Sequence, residues 1–470
     1  MNIYLFGLIF IEIICLFILF VFNKHDLFSP VFLFIIMFFV ATLCTTIYSN
    51  KWGVVFGFET FMVISSAFLM ITIVQCFVSK IKLVDSFKII NLKSIKNFDI
   101  NYLIKLIIVF TSFILMIVYI LGIFKTSNST DISKAIGYVH SNPNNSLDPI
   151  TKLSKRLLMI IARPVFFVFT FRFWLRKQNI KHDFWMIIPM GFYLITVLFE
   201  GSRSPFLFLI FSFCFYYYCF AKKIKVENKQ KKAKDKTSIV KLFIVLVLFL
   251  ITFYNLNDLI KHQTTSFDFF EYFCYYIGSP LAIFGRIYNN LGLAYPSTTN
   301  LVGYYSFTYF YNDLSDLGLV DISSIQQNLF VYVGNNTDHW GNVYTIFAAP
   351  LKDFGLIGMY LYLFIFIFVF VYFYFTKIKA NKNLISFMFM LFIFSMFYDW
   401  VFMAFYATLS YQLKFQTILE LFFECLLLKR LLSLYSVNKY QKKIGKDKNN
   451  ERYYFSRRVR NKTVSTNFGY

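Results

Sequence analysis

The chain has 470 residues, of which 58% are hydrophobic, 22% aromatic and only 15% charged, and its mean hydropathy is +0.59. A soluble domain carries about 25% charged residues, so this composition excludes an ordinary soluble enzyme and implies an all-α polytopic membrane protein. The net charge of +23 does not point to nucleic acid. The basic residues form short clusters between apolar runs, at Lys80–Lys105, Arg172–Lys181, Lys222–Lys241, Lys377–Lys382 and Lys429–Lys462, which is the positive-inside pattern with attraction to anionic lipid.

Open backbone cannot stay unpaired in lipid, so helices are the expected spanning element. Apolar runs long enough to cross about 30 Å of hydrocarbon occur near 3–22, 30–48, 54–79, 102–124, 157–175, 184–200, 204–220, 239–256, 351–376, 384–407 and 409–432. They predict about 11 transmembrane helices in one membrane domain over 1–435. The run 3–22 lacks a basic leader and a small-residue cleavage site, and reads as a first span. The Lys/Asn-rich segment 436–470 reads as a basic, disordered cytoplasmic tail.

Placing the Lys222–Lys241 loop in the cytoplasm and alternating outward puts every other basic loop inside. The N-terminus then lies outside the cytoplasmic membrane and the C-terminus inside. The 125–155 loop and a long polar interlude, about 257–350, fall outside. That interlude carries Asp258, Asp268, Glu271, Asp313, Asp316, Asp321 and Asp338 against Lys261 and Arg286. Within it, Ser266–Leu291 is aromatic but interrupted by Gly278, Pro280 and Gly285, and reads as short interfacial helices. Six of the seven cysteines sit in apolar runs; Cys274 is the exception, so no disulfide framework is expected outside. No CxxC or HExxH occurs, and neither metal nor cofactor is expected.

Charge near or in a span is costly, roughly 2.5–3.5 kcal/mol for a mid-span arginine, so placement is informative. Arg203 sits in the tight turn FEGSRSPF before Pro205, where a helix N-terminus favours anions; a turn arginine reaching lipid phosphate is the plainer alternative. Arg163, beside Pro164, either lines a cavity or snorkels. Arg286 is the lone arginine of the interlude, set among apolar residues. His25 and His182 face the cytoplasm and His140 lies in a Ser/Asn/Pro-rich loop, leaving His262 and His339 as proton acceptors. Asp353 stands at the start of a late span, where capping and the helix dipole are alternatives to chemistry. Asp399, Glu420 and Glu424 read as internal polar ties, the last two pairing with Lys414 or an arginine across the bundle.

The segment GNVYTIFAAPLKDFGLIG (Gly341–Gly358) resembles the signature of the oligosaccharide repeat unit polymerases, the Wzy-type O-antigen and capsule polymerases. In order before it, GSRSP (Gly201–Pro205) resembles the family's G-S-R turn, and YYIGSPLAIF (Tyr275–Phe284) its aromatic-Gly-small-Pro stretch. The G-S-R element here is followed by Ser-Pro rather than the glycine often found there. The resemblance implies a GT-C-like helical glycosyltransferase that needs no metal and works at the outer face of the bacterial inner membrane. It would transfer a growing undecaprenyl-diphosphate-linked glycan onto a new lipid-linked unit, alongside a flippase and a chain-length regulator. Arg203 and Arg286 would then hold the diphosphate and Arg163 assist. His339 would act as base, with Asp353 competing for that role or orienting the site. Trp340, Asn342, Tyr344 and Thr345 would contact sugar or fix the loop. An O-antigen ligase-like transferase is the nearest rival, and a flippase or other transporter the rival of different class.

Overall fold

The computed structural model describes residues 2–23, 25–81, 86–92, 102–141, 147–176, 180–200, 204–226, 269–297, 299–325, 329–336, 339–403 and 414–432. The expected span near 239–256, the Gly201–Arg203 turn, His262, Asp338 and the 436–470 tail lie outside the described residues.

In chain order the helices are α1 (Ile3–Phe22), α2 (Pro30–Ile47), the one-turn α3 (Ser49–Trp52), α4 (Phe58–Ile81), α5 (Tyr102–Ser127), α6 (Ile132–Ser141), α7 (Pro149–Arg176), α8 (Ile188–Phe199) and α9 (Ser204–Lys223). They continue with α10 (Phe269–Ile287), α11 (Thr308–Asp316), α12 (Ala348–Phe373, running on as a π turn, Tyr374–Lys379), α13 (Leu384–Met403) and α14 (415–432). Four short strands, β1 (Ile90–Leu92), β2 (Ile224–Val226), β3 (Val331–Tyr332) and β4 (Trp340–Gly341), form a parallel and an antiparallel pair.

Six of the described helices are long and apolar enough to cross a membrane, the architecture of a multi-pass membrane protein. Local chemistry starts them. The Asn2 side chain accepts from Tyr4 N at 3.0 Å ahead of α1, and Pro30 opens α2, where a missing N–H costs nothing. Only 28% of the most apolar stretch of α1 and 22% of that of α5 is buried, against 61% for α2 and 67% for α7, so the first two lie on the outside of the bundle and the last two in its interior. Accordingly Phe10 and Phe17 are exposed on α1 while Leu5, Leu8, Cys15 and Leu19 are buried against α2 and α4. A second set, α5, α7, α8 and α9, packs together and meets the first through α13.

Helix ends sort as strict alternation requires. At one end the α1–α2 turn meets the ends of α9 and α12. Asp26 pairs with Lys379 at 3.0 Å and accepts from Tyr218 and Tyr374, while Lys223 Nζ donates to the carbonyls of Ile378 and Lys379. β1, which follows α4, pairs with β2, which follows α9, at this same end. At the opposite end the α2–α4 turn packs on α10 and the 334–336 segment, and the N–H of Phe415, opening α14, donates to Asp313 at 2.5 Å.

Three elements differ from expectation. Ser266–Leu291 does not break into short interfacial pieces: 269–287 is one helix, packed along α2. The residues that read as breakers serve close approach. A Cβ on Gly278 would stand 2.8 Å from Thr45 Oγ1, which instead donates to Gly278 O at 2.9 Å, and a Cβ on Gly285 would stand 2.5 Å from Val55 O. The packing gained outweighs the roughly 1 kcal/mol helix penalty of each glycine and the larger one of Pro280. Second, the 125–155 loop contains α6, and α7 begins at Pro149, with Thr151 N capped by Asp148 at 3.3 Å. Third, the span expected at 184–200 is shorter, a 3-10 turn at Ile180–Met186 followed by α8, because Pro189 sits at its first turn.

Candidate functional site

The site end is assembled from segments far apart in sequence. The buried Glu271 carboxylate pairs with Lys51 at 2.5 Å and accepts from Trp52 Nε1 at 3.4 Å, pinning α10 to the α2–α4 turn. Residues 334–336 then thread over the same turn. Asn335 N and Asn336 N donate to the carbonyls of Gly53 and Trp52 at 3.0 and 3.1 Å. A Cβ on Gly334 would lie 1.9 Å from Trp52 O, so only glycine passes there. The β3–β4 hairpin registers Val331 with Gly341 and Tyr332 with Trp340. Gly341 rests on Ile283 of α10, which a Cβ would approach to 2.4 Å.

This hairpin carries the exposed aromatic surface and receives a cation from α10. Arg286 Nη1 donates to Gly334 O at 2.8 Å, and its guanidinium lies 5.8 Å from the Tyr332 ring centroid. One of five guanidinium N–H donors is committed to that carbonyl, and the planar fork suits a phosphate. The Trp340 and Tyr332 rings lie 3.6 Å apart by centroid, and Trp340 is 48% exposed, a flat apolar face turned to solvent. Tyr275 donates to Trp340 O at 2.6 Å, and its ring meets the His339 ring edge-on at 5.5 Å. Burial pushes the Tyr275 phenol up to about 12, so it is a donor at neutral pH. Arg286 at the end of α10 and His339 and Trp340 of the hairpin are therefore brought to one place, with Asn342 exposed just beyond them.

A second group lies further along the chain. Tyr344 is buried, its hydroxyl donates to Leu329 O, and its ring meets Tyr295 edge-on at 5.5 Å; burial raises this phenol. Thr345 is buried, and its hydroxyl has no hydrogen-bond partner among the described residues. Asp353 does not cap its own helix. Its carboxylate accepts from Tyr305 N at 3.3 Å and Ser306 N at 2.6 Å, holding the turn that precedes α11. Both oxygens serve backbone amides, a positioning arrangement rather than that of an open base.

The rest of D-F-G-x-x-G is steric. Phe354 fills the space over Gly303, which itself has φ +75, and a Cβ on Gly303 would be 2.8 Å from that ring. Gly355 has φ 67 and ψ −173, a conformation open essentially to glycine alone, and it kinks α12. A Cβ on Gly358 would be 2.2 Å from Phe354 Cβ. The motif thus turns the entry of α12 so that one carboxylate faces a loop some forty-seven residues upstream.

Arg163 stands elsewhere. It pairs with Glu424 of α14 at 3.6 Å, and about two turns earlier on the same face Arg156 lies 3.8 Å from Glu420. Glu420 and Glu424 are thus ties between α7 and α14, with arginines as partners, Glu420 also accepting from Gln416 at 2.7 Å. Lys155 pairs with Glu200, which accepts from Tyr119 at 2.7 Å, completing a polar seam through α5, α7 and α14. The side chain of Asp399 lies outside the described ones.

Sequence reasoning passed over Tyr275, Tyr332, Glu271, Glu200 and Glu12. Glu12 had a signal, being an acid within an apolar run; it is buried and accepts from Thr42 at 2.8 Å. Tyr275 opens the aromatic-Gly-small-Pro stretch and Glu271 is one of the interlude's acids, but the role of each, as of Tyr332 and Glu200, comes from a partner distant in the chain. Among the described residues no group of three or more His, Cys, Asp or Glu is placed to hold a metal ion. No family model, curated protein or solved structure matches the chain.

Proposed function

We propose that the chain is a lipid-linked repeat unit polymerase. It transfers a growing glycan from its undecaprenyl-diphosphate carrier onto a newly arrived unit at the outer face of the cytoplasmic membrane. The observation that carries this reading is a contact. The two segments resembling the polymerase signature, Tyr275–Phe284 and Gly341–Gly358, are one unit, joined by Tyr275 Oη to Trp340 O at 2.6 Å and by Gly341 against Ile283. Flanking these segments, Arg286 at the end of α10 and His339 and Trp340 of the hairpin come together, the groups that a diphosphate, a hydroxyl and a sugar ring need.

In this reading the fold is a GT-C-like bundle of about 11 spans, with the N-terminus and the Arg286 end outside and the Lys223–Lys379 end in the cytoplasm. The positive-inside clusters support that orientation. An acceptor hydroxyl oxygen attacks the anomeric carbon, the bond to the diphosphate oxygen breaks, and the proton passes to His339. Arg286, with Arg203, takes up the charge that develops on the departing diphosphate, usually the largest catalytic contribution. Trp340 supports a sugar ring, and Asn342 hydrogen-bonds nearby. Asp353, Tyr344 and Thr345 position the loop. Arg163, tied to Glu424, supports the bundle beside the lipid path.

The test is a deletion strain complemented with Arg286→Ala, Arg203→Ala or His339→Ala at matched protein level. Single repeat units on the surface are expected. Full polymer length in the Arg286→Ala and Arg203→Ala strains refutes the reading. Polymer stranded on the lipid carrier indicates a ligase, and lipid-linked units held on the cytoplasmic leaflet a flippase.

A further inference from the structure

We propose that Cys44 and Cys274 are a disulfide-forming pair that staples α10 to the second span at the site end of the bundle. Cys44 lies in the last turn of α2 and Cys274 in the second turn of α10, and both are buried at the interface of those helices. Gly278, one turn beyond Cys274 on the same face, draws the backbones together. A Cβ there would stand 3.2 Å from Cys44 Cβ, and Thr45 Oγ1 bonds Gly278 O at 2.9 Å. Cys274, one turn before Gly278 on the same face of α10, is thereby brought against Cys44. Both stand as free thiols, so the geometry is that of a reduced pair held in register.

The pair closes by thiol–disulfide exchange. One of the two thiols, as thiolate, displaces one sulfur of an external disulfide, the exchangeable disulfide of a thiol oxidase in the extracytoplasmic compartment. The other then attacks the mixed disulfide. Two protein thiols become one disulfide, and the oxidant leaves as two thiols carrying the two electrons and two protons. Both sulfurs are closed off once the helices pack, so exchange happens as α10 docks.

The position explains the use. α10 carries Tyr275 next to Cys274 and Arg286 three turns on, and it underlies the β3–β4 hairpin through Ile283. One of its anchors at this end, Lys51–Glu271, is an ion pair whose lysine is 62% exposed and open to screening. A covalent tie at Cys274 holds α10 where that pair does not suffice. The proposal rests on the outward orientation of this end.

The test uses full-length protein in native membranes. Membranes are denatured in N-ethylmaleimide without reductant, and cysteine peptides are read by mass spectrometry. Cys15, Cys76, Cys214, Cys219 and Cys425 are expected to be alkylated, and Cys44 and Cys274 to be joined in one cross-linked peptide that reductant separates. A protease site introduced within 227–240 gives an independent reading: the cleaved halves stay together on a non-reducing gel, separate with reductant, and separate without it in Cys274→Ser. Leu317→Cys, an exposed position on the same segment, reports orientation through an impermeant maleimide on intact spheroplasts. Labelled Leu317→Cys with freely alkylated Cys44 and Cys274, including after diamide treatment, overturns the disulfide and leaves the function untouched. An unlabelled Leu317→Cys overturns the orientation instead.

Discussion

Gly355→Ala isolates the backbone conformation on which the D-F-G-x-x-G segment depends. At φ 67 and ψ −173, Gly355 occupies a region that a residue with a Cβ enters only under strain, about 1–3 kcal/mol. Nothing lies within 4 Å of the position an added Cβ would take, so the cost is conformational and not a clash. Gly191→Ala is the matched control. Its Cβ also meets open space, but Gly191 sits inside α8 with helical backbone, where alanine gains roughly 0.5–1 kcal/mol. The same methyl group therefore acts with opposite sign at two uncrowded glycines. In thermal unfolding of detergent-solubilised protein, Gly355→Ala is expected to melt lower and Gly191→Ala at or above the parent temperature, with about 2 °C per kcal/mol for a long chain. Gly355→Ala should also shorten the surface polymer, because straightening the kink withdraws Asp353 from Tyr305 N and Ser306 N. A Gly355→Ala protein that melts with the parent and makes full-length polymer would show that the kink carries no strain.

Asp353→Asn keeps the shape but gives one of the two amides a donor instead of an acceptor. It should lose about 1.5–3 kcal/mol of stability and reduce activity without moving the acidic limb of the pH–rate profile; a moved limb would make Asp353 a base. Arg163→Ala removes a cation paired with the buried Glu424 carboxylate, so detergent stability should fall by about 3 kcal/mol. The exchange Arg163→Glu with Glu424→Arg should recover part of that loss, and no recovery would deny the pairing. Trp340→Phe should retain polymerisation and Trp340→Ala lower it about tenfold, measured as initial rate on lipid-linked units, since a stacking face is worth about 1–1.5 kcal/mol. Equal rates for the two variants would remove the indole from the sugar site.

Much of the fold was legible because hydropathy acts locally and additively along the chain. The apolar runs at 3–22, 30–48 and 102–124 return as α1, α2 and α5 with ends shifted by at most a few residues. The alternation of basic loops places the ends of α1, α4, α9 and α12 together, and Asp26, β1, β2, Lys223 and Lys379 do meet. Propensity failed where packing outweighed it: Gly278, Pro280 and Gly285 read as interruptions and stand inside one continuous helix against α2 and the 55–56 segment.

The sequence by itself determined that this is a chain of membrane helices, where its polar interlude lies, and which few charged groups deserve chemistry. Only the tertiary structure decided what those groups do. It ties Arg163 to Glu424, commits the Asp353 carboxylate to two backbone amides, and sets Arg286 of α10 against the hairpin that carries Tyr332 and Trp340. The physical reason is that a side chain's role is set by its contacts. Those joining Thr45 to Gly278, or Tyr374 to Asp26, span 233 and 348 residues, and no local pattern in the chain encodes them.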